Sequence, residues 1–600
     1  MPDKKTTSSA CDCSRRSFLK GGVLATAVPA AALSTFGVAY HFTGNRPVRV
    51  GVVGTGDQGQ VLMSNINPDY VQVKSIADIR PYNLHRAFHG DISSPAALKA
   101  RQGLLSVYGW DSIQQARKHV AVYTDWRELI RNAKADGLEA IIIGLPLHLH
   151  APAAVYAMQQ GLHVLTEKLM AHSVAECKEM ARAAKQYGKH LATGHQRHYN
   201  ILYQEAVDQI RRGTLGDIHY IRAQWHRNNA PGGDSWQMPM PRAVKPDDPQ
   251  AARLQNELTA WTRELNNARG LAIEEWAKKV ALKEAQIADY VLKEGGRYMD
   301  FDLKSAAEYE YEDTVIRAGS GENERTFDRC AAEELLRWRL WRRTGGGLMV
   351  ELGSHQLDAA TIFMAANRDY YLDRIGSDLP RGEKVYPLKV HVSANRNIFG
   401  LDREVSDHVT VLVEFPSPDY DASTEAGRKR KVCMQYSTIN GNGFGGYGEI
   451  VYGTQGTLVL TSETDSELFR SGGDAASRVA ARAAEAAMLD TQSSGPEQTA
   501  AGGGGGGEVS RGYNEQLQHW SWCIRNNPNA KDPALQPRCH PKIALADSVI
   551  SLVTNIAADE GKSITFNEKW FDIDDDATPE TEILNDPNGR PSLHKAMYSF

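Results

Sequence analysis

Cysteine is scarce in this sequence and follows no regular spacing. Seven cysteines occur in 600 residues. Cys11 and Cys13 lie close to the N-terminus, which leaves five scattered through the rest of the chain. Structural zinc sites need ligands at short, regular spacing, and a disulfide framework needs an even number of cysteines. The sequence therefore predicts neither a metal site nor a disulfide-stabilised fold.

A strong charge of one sign is also missing. The chain has 68 lysine and arginine residues against 73 aspartate and glutamate residues, which gives a net charge of −5. Proteins that bind nucleic acids carry a basic patch or stripe, so no nucleic-acid partner is expected. Repeats of solenoid period are absent as well. The length and the hydrophobic content of 42% are sufficient for more than one domain with a full core.

The first 45 residues have the pattern of an export signal. Ser14-Arg15-Arg16-Ser17-Phe18-Leu19-Lys20 is followed by a moderately apolar stretch over residues 21–40. A pair of arginines before such a stretch is typical of the twin-arginine pathway. We predict that residues 1–45 are a leader and that the protein is periplasmic or otherwise exported. An uncleaved leader that anchors the protein to a membrane is the alternative, and no further membrane span is expected.

The most informative pattern is a set of three glycines after a strand-like run. Val48-Arg49-Val50-Gly51 leads through two valines into Gly54-Thr55-Gly56-Asp57-Gln58-Gly59. In a G-x-G-x-x-G motif the first glycine permits a tight turn, the second lets the backbone approach a pyrophosphate, and the third lets helix and strand pack closely. The pyrophosphate then binds N–H groups at the start of the helix. The motif therefore predicts a dinucleotide site.

A second strand-like run, residues 71–77, ends at Asp78, about 20 residues after the glycines, where a ribose-binding acid is required. Asp78 is expected to accept hydrogen bonds from the ribose hydroxyls and to repel a 2′-phosphate, which favours NAD. Arg80 argues the other way, because an arginine at this point can pair with that phosphate. NAD is the preferred cofactor and NADP stays an alternative.

Strand-like and helical segments alternate through residues 46–195. This is the pattern of a parallel sheet wrapped by helices, so we predict an α/β fold whose first domain, residues 46–195, is a Rossmann dinucleotide-binding domain. Residues 140–143 are apolar throughout, as expected for a strand that is buried on both faces. Ligands bind beyond the carboxyl ends of such strands.

Residues 196–570 are predicted to form a second α/β domain with a largely open antiparallel or mixed sheet. Within it, residues 229–343 form a polar, tryptophan-containing insertion that we expect to be helical. A substrate lid and an oligomer contact are alternatives to the simplest interpretation, a solvated decoration. Residues 471–510 include six consecutive glycines and are predicted to be a flexible loop. Residues 571–600 are predicted to be a C-terminal tail.

Polar residues follow two of the predicted strands of the first domain. Glu167 and Lys168 follow residues 163–166, and a partly buried lysine at that place can hydrogen-bond a substrate hydroxyl. Pro146 and His150 follow residues 140–143. For His150 two roles are open: it lines the nicotinamide pocket, or it caps the following helix.

A glycine-rich segment after the insertion contains Glu351 and His355. The two residues are four positions apart, so on a helix they share one face. An acid beside an imidazole can provide a proton acceptor and a group that orients it. The alternative is a buried histidine with a structural role.

Together these motifs resemble the Gfo/Idh/MocA oxidoreductases. The resemblance rests on the glycine motif, on Pro146-x-x-x-His150, on the run from Gly161 to Lys168, and on Glu351-x-Gly353-x-His355-x-x-Asp358. Residues 443–450 and 453–458 are similar to the sheet-domain signature of the family. The resemblance extends from Val48 to Phe566 and is interrupted by the insertion and the glycine loop.

This resemblance implies a Rossmann domain followed by an α/β domain whose open sheet forms a homo-oligomer interface. It also implies hydride transfer between a sugar or polyol carbon and nicotinamide. By position, Lys168 and His355 correspond to the catalytic lysine and histidine of the family, and Glu351 stands where an aspartate is commoner. Arg197 and Tyr199 fall where members place substrate or cofactor contacts. Leu169 replaces the usual proline and removes a restraint on the backbone of Lys168.

The sequence thus predicts an exported NAD(P)-dependent oxidoreductase that acts on a sugar, a polyol or a glycoside. Lys168 and His355 would bind the reacting hydroxyl and take up its proton, and Glu351 would orient them. Because free cofactor is scarce outside the cytoplasm, we expect a tightly held NAD that returns to its starting state in each cycle. A redox-assisted glycosidase or lyase satisfies the same condition. A non-catalytic cofactor-binding structural or sensing protein is the further alternative.

Overall fold

The structure is a computed structural model that describes residues 46–230, 249–290, 297–298, 301–302, 309–319, 321–463, 465–470 and 510–584. The predicted leader, residues 1–45, lies outside the described residues. So do residues 471–509 of the predicted glycine-rich loop and residues 585–600 of the predicted tail.

The first domain contains a six-stranded parallel sheet, as predicted. Its strands run in the spatial order β3-β2-β1-β4-β5-β6, which reverses between β1 and β4. In doubly wound folds the dinucleotide binds at this reversal, beyond the carboxyl ends of the strands. The strands are β1 (Val48–Val53), β2 (Val71–Ala77), β3 (Ala121–Tyr123), β4 (Ala140–Ile143), β5 (His163–Thr166) and β6 (Leu191–Thr193).

Helices cover both faces of this sheet, which is why all four residues of β4 are buried and why that strand is apolar throughout. Helix α8 shows how local sequence sets the ends: Ser173 caps its start, and Gly188 ends it in the left-handed conformation. The helices are α1 (Asp57–Ser64), α2 (Pro81–His89), α3 (Pro95–Ala100), α4 (Gly103–Tyr108), α5 (Ile113–Ala116), α6 (Trp126–Arg131), α7 (His150–Gln159) and α8 (Val174–Tyr187).

The insertion follows helix α9 (Ile201–Arg211) and strand β7 (Ile218–His226). Its described residues 249–290 are helical, as predicted, but residues 314–329 form a β-hairpin that the sequence analysis missed. The long helix α11 packs against α2 of the first domain. The elements are α10 (Pro249–Asn267), α11 (Leu271–Tyr290), β8 (Arg297–Tyr298), β9 (Phe301–Asp302), β10 (Thr314–Ala318), β11 (Arg325–Arg329), α12 (Ala331–Leu336) and α13 (Arg342–Gly345).

The second domain is built on an eight-stranded mixed sheet with the order β17-β16-β15-β7-β14-β13-β12-β18. Only the pairing of β7 with β14 is parallel within this sheet. Its elements are α14 (Ser354–Arg374), β12 (Lys389–Asn395), β13 (His408–Pro416), α15 (Glu425–Arg428), β14 (Lys431–Ile439), β15 (Tyr447–Gly453), β16 (Gly456–Thr461), β17 (Asp465–Arg470), α16 (Tyr513–Asn526), α17 (Pro541–Glu560), β18 (Ile564–Thr565) and α18 (Pro579–Ile583). The fold class predicted from the sequence is confirmed.

Alternate residues of β13 are buried, because α14 and α17 cover one face of the sheet.

Helix α17 has the length and the mean hydropathy, 1.2, that a membrane-spanning helix needs. Its apolar residues, among them Leu545, Val549 and Val553, are instead packed in the core of this domain.

Helix α16 returns from the second domain to the first. Tyr513, Leu517, Trp520 and Ile524 pack in the same apolar cluster as the valines of β1. The packed first domain therefore includes a helix from residues 513–526, well beyond the predicted boundary at 195.

Part of the predicted tail is packed too, because Lys178 on α8 donates to the carbonyl oxygens of Lys569, Asp575 and Ala577.

Candidate active site

A deep cleft opens at the carboxyl ends of the parallel strands. It contains about 1570 Å³ of empty space, including its open mouth. Most of the predicted site residues line it, namely Gly54, Gly56, Asp57, Gln58, Asp78, Arg80, Pro146, His150, Glu167, Lys168, Glu351 and His355. Gly59, Arg197 and Tyr199 are not among the lining residues.

The glycine loop has room for a pyrophosphate at Gly56. A Cβ atom at Gly54 would lie 2.4 Å from the carbonyl oxygen of Gly144, and one at Gly59 would lie 2.1 Å from the carbonyl oxygen of Gly54. These two glycines are required by packing. At Gly56 the nearest atom would be Asn83 Nδ2, 3.7 Å away, so this side of the loop is open. No side chain caps the start of α1, which leaves its first N–H groups available to an anion.

Asp57 places a negative charge at the start of α1. Burial opposes its ionisation, but Arg86, Arg101 and Arg339 together hold its pKa below the ordinary value. Arg86 forms ion pairs with Asp57 (2.8 Å) and with Asp91 (2.9 Å). The glycine loop therefore has compensating positive charge beside it, which suits a ligand with two phosphates.

Asp78 lies at the predicted ribose position at the end of β2. Its carboxylate accepts hydrogen bonds from the backbone N–H groups of Thr55 and Arg80, both at 2.8 Å, and from Asn83 Nδ2 at 3.1 Å. Burial raises its pKa despite these donors. The Arg80 guanidinium forms an ion pair with Asp289 of the insertion at 2.8 Å, a contact the sequence analysis did not predict.

Lys168 connects the end of β5 to the segment that carries Glu351. Its Nζ donates to the backbone carbonyl oxygen of Glu351. The preceding Glu167 accepts from Gln58 Nε2 at 2.8 Å, and burial raises its pKa. Gln58 thereby links the glycine loop to the lysine segment, and the Lys168–Leu169 peptide is cis.

His150 lines the cleft, as the first alternative predicted, whereas it is not the cap of α7, because Leu149 holds that position and makes no side-chain cap hydrogen bond. Its two ring nitrogens lie 2.8 Å from the carbonyl oxygens of Leu145 and Leu169. The ring therefore ties the loop after β4 to the loop after β5. This tie restrains the backbone next to Lys168, where the sequence suggested that loss of proline would leave it looser.

His355 is buried at the start of α14, which follows a π-helical turn at Met349–Gly353. Burial lowers its pKa well below the ordinary value, and Lys168, Arg197 and His195 lower it further. The imidazole is therefore neutral at neutral pH and able to accept a proton. Its Nδ1 has no hydrogen-bond partner among the described residues.

Glu351 differs from the sequence-based expectation. Its carboxylate accepts from Arg339 Nε at 2.8 Å, while its backbone carbonyl oxygen accepts from Lys168. The predicted orienting role thus belongs to the backbone of Glu351 as far as Lys168 is concerned. The carboxylate instead holds an arginine of the insertion, which reaches this place through tertiary packing.

Arg197 and Tyr199 were predicted to contact substrate or cofactor, and the structure places both away from the cleft. Arg197 is fully buried and forms ion pairs with Glu449 (2.9 Å) and Glu463 (2.8 Å). It also donates to the backbone oxygen of His355 at 2.9 Å. The Tyr199 hydroxyl lies 2.9 Å from His519 Nδ1. The chain after β6 turns into the domain interface, so these side chains support the site from behind.

A second polar cluster lies beneath α14. Two triads, His195–Cys539–Asp547 and His198–Asp358–Asp547, have ligand-type atoms within 4.8 Å of one another. Lys384 Nζ lies 2.6 Å from Asp547 and 3.4 Å from Asp358. The cation between these carboxylates is therefore the lysine ammonium, and the arrangement is a buried ion-pair network.

The insertion supplies a wall of the cleft, which is nearer to the alternative of a substrate lid than to the preferred interpretation. Tyr309, Tyr311, Leu335, Trp338 and Arg339 all line it. Further unpredicted lining residues are Trp126, Gln196, Trp225, Arg511 and Tyr513. The preferred interpretation of residues 229–343 as a solvated decoration is therefore wrong for their described C-terminal part. The signal available was the tryptophan and arginine content of this segment.

Comparison with known proteins supports the sequence motifs. The sequence model of Gfo/Idh/MocA proteins, described as an oxidoreductase family with an NAD-binding Rossmann fold, matches residues 48–195. Over these residues the N-terminal domain is similar to this family. The glycine loop, Asp78 and Lys168 all lie within the matched Gfo/Idh/MocA residues, whereas Glu351 and His355 lie beyond them.

Two curated relatives each match part of the chain. One is 1-carboxy-3-chloro-3,4-dihydroxycyclohexa-1,5-diene dehydrogenase of Comamonas testosteroni, 29% identical over 177 residues, or 29% of this chain and 37% of the relative. The other is glycosyl hydrolase family 109 protein 2 of Phocaeicola vulgatus, 25% identical over 198 residues, or 31% of this chain and 42% of the relative. The matches thus span less than half of either relative.

Among solved structures, an inositol dehydrogenase homolog from Azotobacter vinelandii complexed with NAD+ is 13% identical, with a TM-score of 0.49. The superposition covers 87% of this chain and 98% of that one. Aldose-aldose oxidoreductase from Caulobacter crescentus is 15% identical, with a TM-score of 0.47, over 87% of this chain and all of that one.

Proposed function

We propose that this protein is an exported NAD-dependent oxidoreductase that acts on a CH–OH group of a sugar, a polyol or a glycoside. The observation that carries the proposal is the meeting of Lys168 and His355 in the cleft that also contains the glycine loop. A proton acceptor and a hydroxyl-binding cation thus stand beside the expected dinucleotide position.

The residues of the cleft have separate tasks in this proposal. Gly56 and the start of α1 hold the pyrophosphate, and Asp78 holds the ribose. A bound nicotinamide supplies the hydride acceptor. Lys168, anchored on the backbone of Glu351, donates a hydrogen bond to the reacting hydroxyl. Neutral His355 takes up the hydroxyl proton as the carbon is oxidised.

The wall of the cleft suits a carbohydrate. Trp225, Trp338, Arg339 and Arg511 all line the cavity, so aromatic rings and guanidinium groups lie in the same wall. Pockets that combine apolar rings with a few fixed polar groups bind and orient small polar ligands. Aromatic rings can pack on the CH faces of a sugar while the donors bind its hydroxyls.

The arginine pair of the leader supports export, and export favours a cofactor that stays bound through each cycle. We therefore propose that hydride is returned within the cycle, to a second substrate or to the same one. The insertion supports this retention because it closes one side of the cleft with Tyr309, Tyr311 and Leu335.

The resemblance to the Gfo/Idh/MocA oxidoreductases also supports a homo-oligomer, which we propose assembles through the large sheet of the second domain.

A redox-assisted glycosidase is the second candidate. It is supported by relatives named as glycosyl hydrolase family 109 proteins, such as the one from Phocaeicola vulgatus. In this reaction the oxidation is transient: it labilises a glycosidic bond, and the hydride returns to the same sugar. The tasks of Lys168 and His355 in the oxidation step are unchanged.

One experiment separates these reactions. The protein is purified without added cofactor, its bound nucleotide is measured by mass and absorbance, and it is then offered a panel of sugars and glycosides. We expect bound NAD(H) that cycles without dissociating. Oxidised and reduced products from two sugars identify an oxidoreductase, and free sugar plus aglycone identifies a glycosidase.

The opposing results are equally clear. Stoichiometric release of NADH with a single sugar contradicts retention. Protein that binds no nicotinamide nucleotide, even when it is added, contradicts the proposal and leaves the non-catalytic alternative.

A further inference from the structure

Arg80 is held by a residue of the insertion. Its Nη2 and Nε donate to Asp289 Oδ2 at 2.8 and 3.1 Å. Asp289 also accepts from the backbone N–H of Tyr82 at 3.2 Å through its other oxygen. Both side chains are nearly buried, with exposed fractions of 10% and 5%. Asp289 therefore fixes the guanidinium and the start of α2 together.

This contact lies next to the ribose position. The backbone N–H of Arg80 donates to Asp78 at 2.8 Å, and the side chain of Arg80 borders the cleft. Tyr311 and Leu335 of the insertion pack with Ile79, the residue between Asp78 and Arg80. The insertion thus covers the segment that would read the 2′ position of an adenosine ribose.

We propose that Asp289 is a cofactor-specificity residue, which selects NAD over NADP by holding the Arg80 guanidinium in an ion pair. The inference rests on the proposed function, because it assigns a role at the same cofactor site. Arg80 is the residue that, from the sequence, argues for a 2′-phosphate. The structure shows its Nε and Nη2 engaged by a carboxylate from 209 positions further along the chain.

The physical basis is the free energy needed to break the ion pair between Arg80 and Asp289. To bind a 2′-phosphate through Nε and Nη2, Arg80 must leave Asp289, and a nearly buried carboxylate would then be left without its counter-ion. The phosphate would also meet the negative charges of Asp78 and Asp289 together. NAD carries a hydroxyl at this place, so it binds without breaking the pair.

The test is the substitution Asp289→Asn in the full-length protein. Asparagine keeps the shape and the acceptor for the Tyr82 N–H but removes the charge. Dissociation constants for NAD+ and NADP+ are measured by calorimetry on apo-protein, and by mass spectrometry of exchanged nucleotide on protein that retains its cofactor. We expect NADP+ affinity to rise about tenfold or more relative to NAD+, a change of about 1.4 kcal/mol in relative binding free energy.

Two further variants make the result specific. Glu257→Gln removes a different ion pair of the insertion, with Lys283 at 2.7 Å, and is expected to leave the NADP+ to NAD+ ratio unchanged. The double variant Arg80→Gln/Asp289→Asn is expected to lose the gain, because the phosphate partner is gone. A thermal melt of each variant tests whether it is folded.

An unchanged ratio in folded Asp289→Asn overturns the inference, and so does a gain that persists in the double variant. If Asp289→Asn does not fold, the same ratio is measured in Asp289→Ser, with the same expectation and the same overturning result. The proposed function fails separately: in that case the unmodified protein binds neither nucleotide.

Discussion

The two ends of the cleft are built in different ways. At the catalytic end, Lys168, Glu351 and His355 come from short motifs that are visible in the sequence. At the ribose end, Asp78 is also visible in the sequence, and its hydrogen-bond donors belong to the first domain. The insertion adds Asp289 and Tyr311, which contact the residues that follow Asp78. The candidate reactive groups thus come from local patterns, whereas the proposed control of ligand choice depends on residues far along the chain.

The support behind each end differs as well. Behind His355 lies a fully buried ion-pair network in which Arg197 binds Glu449 and Glu463. At the ribose end, Arg80 pairs with Asp289 of the insertion at the edge of the cleft. The first arrangement favours a fixed geometry, and the second leaves the ligand preference open to change by one substitution.

Removal of Lys168 or His355 tests the catalytic end and has the largest expected effect. Lys168→Ala and His355→Ala are each expected to lower turnover about 10²–10⁴-fold, because general acid–base groups contribute rate factors of this size. Binding of NAD+ is expected to persist, since Gly56 and Asp78 are intact. Steady-state kinetics and a nucleotide titration provide both readouts. Unchanged turnover in both variants would contradict the assignment.

Removal of Arg197 tests the buried support. Arg197→Met leaves Glu449 without its arginine and is expected to lower the free energy of unfolding by about 3–5 kcal/mol. The matched control is Arg212→Met, whose exposed pair with Asp208 contributes about 1 kcal/mol or less. Urea unfolding of both variants gives the comparison. Equal effects would mean that the network does not stabilise the fold.

The glycine loop separates packing from ligand binding. Gly59→Ala places a Cβ atom 2.1 Å from a backbone oxygen and is expected to destabilise the protein by about 1–3 kcal/mol. Gly56→Ala meets no atom closer than 3.7 Å, so we expect unchanged stability and NAD+ binding about tenfold weaker. Thermal melts and titrations distinguish the two. A stable Gly56→Ala protein with unaltered affinity would place the pyrophosphate elsewhere.

The pH dependence of kcat/KM is expected to show the smallest effect. The pKa of His355 is well below its ordinary value because the ring is buried, so its base form is present at neutral pH and is lost only as the pH falls through the lowered pKa. We expect the acid limb of kcat/KM to lie below 6.5, the value for a free imidazole. A limb at 6.5 or above would show that His355 is not the base.

The strands of the first domain were predicted closely because apolar runs and glycine turns are local signals. Lys168 followed from a strand end, and Glu351 and His355 followed from their spacing in a glycine-rich segment. The role of Arg197 was predicted wrongly, because residue type does not reveal that its partner Glu449 lies 252 positions away. For the same reason the insertion wall was not preferred over a solvated decoration. Its tryptophans are visible in the sequence, but the surface they cover is not.

Helix α16 determines when the first domain can complete its core during synthesis. Trp520 and its neighbours complete the apolar cluster around β1, so a ribosome must synthesise residues 513–526 before the dinucleotide domain can close. Domains usually fold as soon as they have been synthesised. The first domain cannot complete its core until a segment more than 300 residues past β6 has been synthesised. A polypeptide truncated before residue 513 would therefore expose the cluster.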